Sequence, residues 1–192
     1  MLRVSLARSV DEFQAQTAAR HDEIRTELHL DFAFIAAYWL IYATTCALFA
    51  TRTFSGAAWL GVVAGELATV GALADVSENV NTLRLLERIQ GTQGDDQPAS
   101  IASTMRRSSL VKWAALFAAT GVLSTMFFER GGWSCLLGGL YAVAAAVGLV
   151  TILADGFRLS VDERWLGIGL RCAFLLQCIA LPVGLAVAAS QT

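Results

Sequence analysis

The sequence predicts an all-α fold: a polytopic membrane bundle of five transmembrane helices, preceded by an amphipathic helix on the cytoplasmic side. Three observations lead there. Apolar residues make up 56% of the 192-residue chain and charged residues only 16%, against about a quarter charged in a typical soluble domain. Five continuous apolar runs each approach the roughly 20 residues a helix needs to cross a hydrocarbon core about 30 Å thick. The arginines outside those runs gather on one side of the implied membrane.

The same numbers exclude other classes. Disordered chains are poor in apolar residues, and a single soluble globule of this size could not hide so much apolar surface. The runs lack the alternation of a membrane barrel strand. A formal net charge of −2 and a pI near 5.6 leave no basic stripe for nucleic acid.

Taken in chain order, residues 1–30 contain no apolar core of a signal peptide and carry Asp11, Glu12, Asp22, Glu23 and Glu27. They read as an amphipathic helix, with Ser9 and Glu12 spaced as a capping box and Val10, Phe13, Ile24 and Leu28 near helical spacing. This helix is expected to run on into the first span. The five spans are Phe32–Ala50, Ala57–Ala74, Leu110–Phe128, Trp133–Ala154 and Trp165–Ala189, in one transmembrane domain over 31–189. Trp59, Trp113, Trp133 and Trp165 lie near span starts, where indoles favour the headgroup level. Gly91–Thr104 reads as a mobile cytoplasmic loop.

Orientation follows from charge. Arg3, Arg8, Arg20, Arg25, Arg84, Arg88, Arg106, Arg107, Arg158 and Arg164 fall on one side, and only Arg52 and Arg130 on the other. Ten against two puts the N-terminus in the cytoplasm and the C-terminus outside. The 13 arginines beside one lysine, with abundant alanine, suggest a GC-rich genome; the expected location is a bacterial inner membrane.

Ionisable groups within apolar runs are costly to insert, about 2.5–3.5 kcal/mol each, and mark candidate sites. Glu66 lies mid-way along the second run as a cation- or proton-binding carboxylate, or as a structural partner of Arg171 in the fifth. Asp75, Glu78, Asn79 and Thr82 share one stripe where the second run leaves the membrane, and that D-x-x-E-N cluster suits a cation or a polar headgroup. Nine residues separate Glu66 from Asp75, so they face opposite ways unless the helix breaks at Gly71. Asp31, Tyr38, Tyr42 and Thr45 form a polar stripe on the first span, a groove or an inter-helix seam. Asp31, Asp75, Glu78 and Asp155 sit at one level and are expected to ring the cytoplasmic mouth, offset by Arg158 and Arg171.

Other chemistry is set aside. Two histidines are too few for haem or di-iron bundles, and no P-loop, G-x-S-x-G, H-E-x-x-H or dinucleotide fingerprint occurs. No metal, cofactor or catalytic set is predicted. The cysteines lack C-x-x-C spacing; Cys172 and Cys178 read as packing, while Cys46 and Cys135 fall near one face and are candidates to pair. Gly61 and Gly65, and Gly138 and Gly139, mark close helix approach, and Pro182 a kink in the fifth span. The expected function is binding or transport of a small molecule, ion or lipid through an acidic polar cavity, by an oligomer surrounded by membrane lipid. The alternatives are a non-catalytic accessory subunit of a membrane complex or a lipid-modifying enzyme.

Overall fold

The structure, a computed structural model, describes residues 10–52, 58–89, 91, 98–132 and 134–156, with isolated positions 175, 182, 183 and 186. Among the described residues five helices follow one another: α1 Val10–Thr17, α2 His21–Arg52, α3 Ala58–Ile89, α4 Pro98–Arg130 and α5 Ser134–Gly156. Among the described residues there is no strand. Four helices, α2 to α5, are long and apolar enough to cross a membrane, which makes this a multi-pass protein. The fifth run, Trp165–Ala189, lies outside the described residues apart from the isolated positions.

Three of the four long helices overshoot the bilayer. α2, α3 and α4 have 32, 32 and 33 residues, about 48 Å of helix against a hydrocarbon core of about 30 Å. The chain divides into two compact units, Met1–Ala37 with Ala72–Lys112, and Tyr38–Gly71 with Trp113–Thr192.

In the first unit the core is Phe13, Ile24, Leu28, Leu85, Leu86, Ile101, Ala102 and Met105. The amphipathic segment therefore packs its apolar face inside its own unit. It does so as two helices where one continuous helix is expected. The chain turns at Ala18–Arg20, with Arg20 N donating to the Thr17 carbonyl and Ile24 N to the Arg20 carbonyl, each at 2.9 Å. The turn lets Phe13 and Ile24 reach one core from separate helices. Asp22 and Glu23 in the first turn of α2 favour its start, and Glu23, bonded at 2.6 Å, pushes the Arg20 guanidinium further above its ordinary value.

Of the expected loop Gly91–Thr104, residues 98–104 are helical, because α4 begins at Pro98; residues 92–97 lie outside the described residues. Proline has no N–H to leave unsatisfied in a first turn, and burial of Ile101, Ala102 and Met105 anchors the turns that follow. α3 runs unbroken through Gly71 to Ile89. It closes at Gly91, whose φ of 76° carries an N–H back to the Arg88 carbonyl at 2.9 Å.

In the second unit aromatic rings fill the interior. Phe49 meets Phe127 edge-on at 4.9 Å, and Phe127 meets Tyr141 at 5.2 Å. Small residues let helices close in. A methyl built on Gly61 would lie 2.8 Å from the Cys46 carbonyl oxygen, and one on Gly138 3.1 Å from that of Ser124; at Gly139 nothing lies within 4 Å. The Cys46 and Cys135 thiols are free and unbridged. Cys46 is buried beside Gly61 and Gly65, whereas Cys135 Sγ points back at the Phe128 carbonyl at 3.8 Å.

Candidate functional site

Helical spacing assembles the candidate site within the first unit. Asp75 and Glu78 are three residues apart and Asn79 four beyond Asp75, so all three fall on one face of α3. From α4, Lys112 reaches in between the two acids. Its Nζ donates to Asp75 Oδ1 at 2.9 Å and lies 2.8 Å from Glu78 Oε2. The second contact is an ion pair, and among the described residues the buried Glu78 Oε2 has no hydrogen-bond partner. From α2, Asp31 Oδ2 accepts from Asn79 Nδ2 at 2.8 Å. The Thr82 hydroxyl donates to the Glu78 carbonyl at 2.8 Å. Ser77 and Ser108 hydroxyls, 3.0 Å apart, add a second α3–α4 link.

The cluster is closed to solvent. Asp75, Glu78, Asn79 and Lys112 are all buried, at 8% exposure or less, while Asp31 is half-buried. In so dry a setting Coulomb attraction is strong, but so is the desolvation of each charge. Formally the Asp75–Glu78–Lys112 triad carries two negative charges and one positive, and Asp31 adds another carboxylate to the same unit.

Arg158 and Arg171, expected to offset the acids, lie outside the described residues; among those described, Lys112 stands beside Asp75 and Glu78. The available signal was that Lys112 is the only lysine of the chain and falls two residues inside an apolar run. Asp155, the fourth acid of the expected ring, belongs to α5, and its side chain lies outside the described residues. Among the described residues no three His, Cys, Asp or Glu side chains converge to hold a metal ion.

The remaining candidates belong to the second unit. Tyr38, Tyr42 and Thr45 are buried. Thr120 Oγ1 donates to the Leu116 carbonyl at 2.7 Å, so its 2.7 Å contact with Tyr42 is a bond that the phenol donates. That part of the stripe is an inter-helix seam joining α2 to α4, not an open groove. Trp39 Nε1 makes a comparable link from α2 to α3, donating to Thr69 Oγ1 at 3.1 Å. Glu66 is exposed on α3. Its expected partner Arg171 lies outside the described residues.

The long apolar helices and a buried ionic cluster describe a multi-pass membrane protein. Comparison with protein families, curated proteins and solved structures finds no match to this chain.

Proposed function

We propose that this chain is an integral membrane protein that binds a small cation, a proton or an alkali ion, at the Asp75–Glu78–Lys112 cluster. The observation that supports the reading is that Asp75 and Glu78 are both buried beside Lys112, and that among the described residues Glu78 Oε2 accepts no hydrogen bond. Burying a carboxylate costs several kcal/mol, and a cation or proton taken up at Glu78 Oε2 would offset part of that cost. Intramembrane or near-membrane ionisable groups are by default sites of ion or proton handling. The arginine asymmetry puts this end of the helices at the cytoplasmic face, with the chain N-in in a bacterial inner membrane.

A second reading is favoured by a different observation. Asn79 answers Asp31 and Lys112 answers Asp75, an arrangement that also suits a clasp within a non-catalytic accessory subunit. The sign of a stability change separates the two. If the site takes up a cation or proton, Asp75→Asn or Glu78→Gln removes that need and is neutral or stabilising, and it abolishes the dependence of melting on Na+ or K+ at fixed ionic strength. Proton uptake into liposomes carrying the protein tests the proton version. If both variants melt well below wild type, and wild type neither responds to cations nor takes up protons, the cluster is a clasp.

A further inference from the structure

Within the first unit, α3 and α4 run antiparallel: Asp75 meets Lys112, and Ser77 meets Ser108. Exposure divides each helix cleanly about its serine. On α3, Leu73 and Arg84 are exposed and Val80 half-buried, all within about 60° of Ser77 in one rotational sense, while Asp75 and Glu78 are buried in the other. On α4, Thr104, Arg107 and Val111 are exposed within about 100° of Ser108 in that same sense, and Lys112 is buried in the other. On antiparallel helices an equal sense puts both exposed arcs on one side. They form the two walls of a groove whose floor is the half-buried Ser77–Ser108 pair, 3.0 Å between hydroxyls.

The groove changes character along its length. On one side of the serines its walls are Leu73 and Val111, exposed apolar side chains that suit hydrocarbon. On the other side they are Thr104, Arg84 and Arg107. Arg84 stands seven residues, about 10 Å, beyond Ser77, and Arg107 one residue, about 1.5 Å, beyond Ser108. Helical side chains lean toward their own N-terminus, so Arg84 leans back toward the serines and Arg107 away from them, which draws the two heads toward one level. Neither arginine has an ion pair among the described residues. The nearby carboxylate Glu87 lies 4.0 Å from Arg25. Of the two serine hydroxyl hydrogens, the bond between them uses one and leaves the other to donate.

We propose that this α3–α4 groove binds an anionic phospholipid, its phosphate held by Arg84, Arg107 and the serine hydroxyls and its acyl chains laid along Leu73 and Val111. Charge complementarity selects the occupant: guanidinium forks match phosphate oxygens bidentately, and an arginine at the membrane surface favours anionic lipid. The adjoining apolar wall selects a lipid over a soluble phosphate, because it leaves the chains in contact with side chains that a free anion would not cover. The groove lies on the opposite face of α3 from Asp75 and Glu78, so the inference does not depend on the cation site.

The test is native mass spectrometry of the full chain in mild detergent, titrated with phosphatidylglycerol or phosphatidylcholine of the same acyl chains. Wild type is expected to hold phosphatidylglycerol roughly tenfold more tightly, and Arg84→Gln and Arg107→Gln to lose about fivefold each. Arg20→Gln removes the same charge away from the groove and is expected to leave the affinity unchanged. Both groove arginines are exposed, so their variants are expected to fold, and circular dichroism checks this. The proposal is overturned if the two lipids bind equally, if Arg84→Gln and Arg107→Gln bind like wild type, or if Arg20→Gln loses as much as they do. It is also overturned if inorganic phosphate at equal concentration displaces phosphatidylglycerol, since the groove would then be a site for a free anion.

Discussion

Lys112 Nζ sits 2.9 Å from Asp75 Oδ1 and 2.8 Å from Glu78 Oε2, one ammonium held between two carboxylates a single helical turn apart. Removing the cation and removing an acid are therefore unequal. Lys112→Met removes the ammonium from between two adjacent buried carboxylates and is expected to lower stability by about 3–5 kcal/mol. Lys112→Arg keeps the charge and loses less, which separates charge from packing. Thermal melting in detergent with tryptophan fluorescence is the measurement, and a Lys112→Met variant that melts like wild type would refute the pairing.

Tyr141 offers a prediction of opposite sign. Its hydroxyl is buried without a hydrogen-bond partner among the described residues, while its ring packs on Phe127. Tyr141→Phe keeps the ring and removes an oxygen that lost its water on folding, so it is expected to be neutral or stabilising by up to about 1 kcal/mol. Tyr42→Phe, which strips the bond to Thr120, is expected to cost about 1 kcal/mol under the same assay.

Two glycines on different helices test close packing. Gly61→Ala drives a methyl into the backbone at Cys46 and Ala50, where overpacking costs about 1–3 kcal/mol. Gly139→Ala meets open space and lowers the entropy cost of a helix interior, a gain of about 0.5–1 kcal/mol in water-exposed helices. Opposite shifts in melting temperature are expected, and a loss at both sites would show that the α2–α3 approach is not special.

Phe13 tests the docking of α1. Fully buried among Ile24, Leu28, Leu85 and Met105, it is the anchor of an eight-residue helix too short to persist alone. Phe13→Ala is expected to cost about 3–5 kcal/mol of local packing. Limited proteolysis should then release the segment before Ile24 while the rest of the chain stays protected. Unchanged cleavage would mean that α1 is held by something other than this core.

Several features were legible from local pattern. The apolar runs announced long helices because hydropathy and length act within one segment. The stripe of Asp75, Glu78 and Asn79 on one helix face was legible for the same reason, since periodicity is a property of a single helix. The N-terminal apolar residues were recognised as one amphipathic pattern, but the turn at Ala18–Arg20 was not, because the reward for bending lies in Leu85, Leu86 and Met105 far along the chain. Pro98–Thr104 reads as linker in sequence and is helical in the structure, since the burial of Ile101 and Ala102 outweighs a polar composition.

What the sequence by itself determined is the kind of molecule this is: helical, apolar beyond what one soluble core can hide, and multi-pass. These follow from composition and from periodicity within single segments, neither of which needs a partner helix. What only the tertiary structure decided is which groups meet. It chose Lys112 as the partner of Asp75 and Glu78, matched Asn79 to Asp31 and Tyr42 to Thr120, and turned Glu66 outward. Each choice depends on how one helix is rotated against another. That rotation is set by packing contacts tens of residues apart in sequence, and no helix carries it alone.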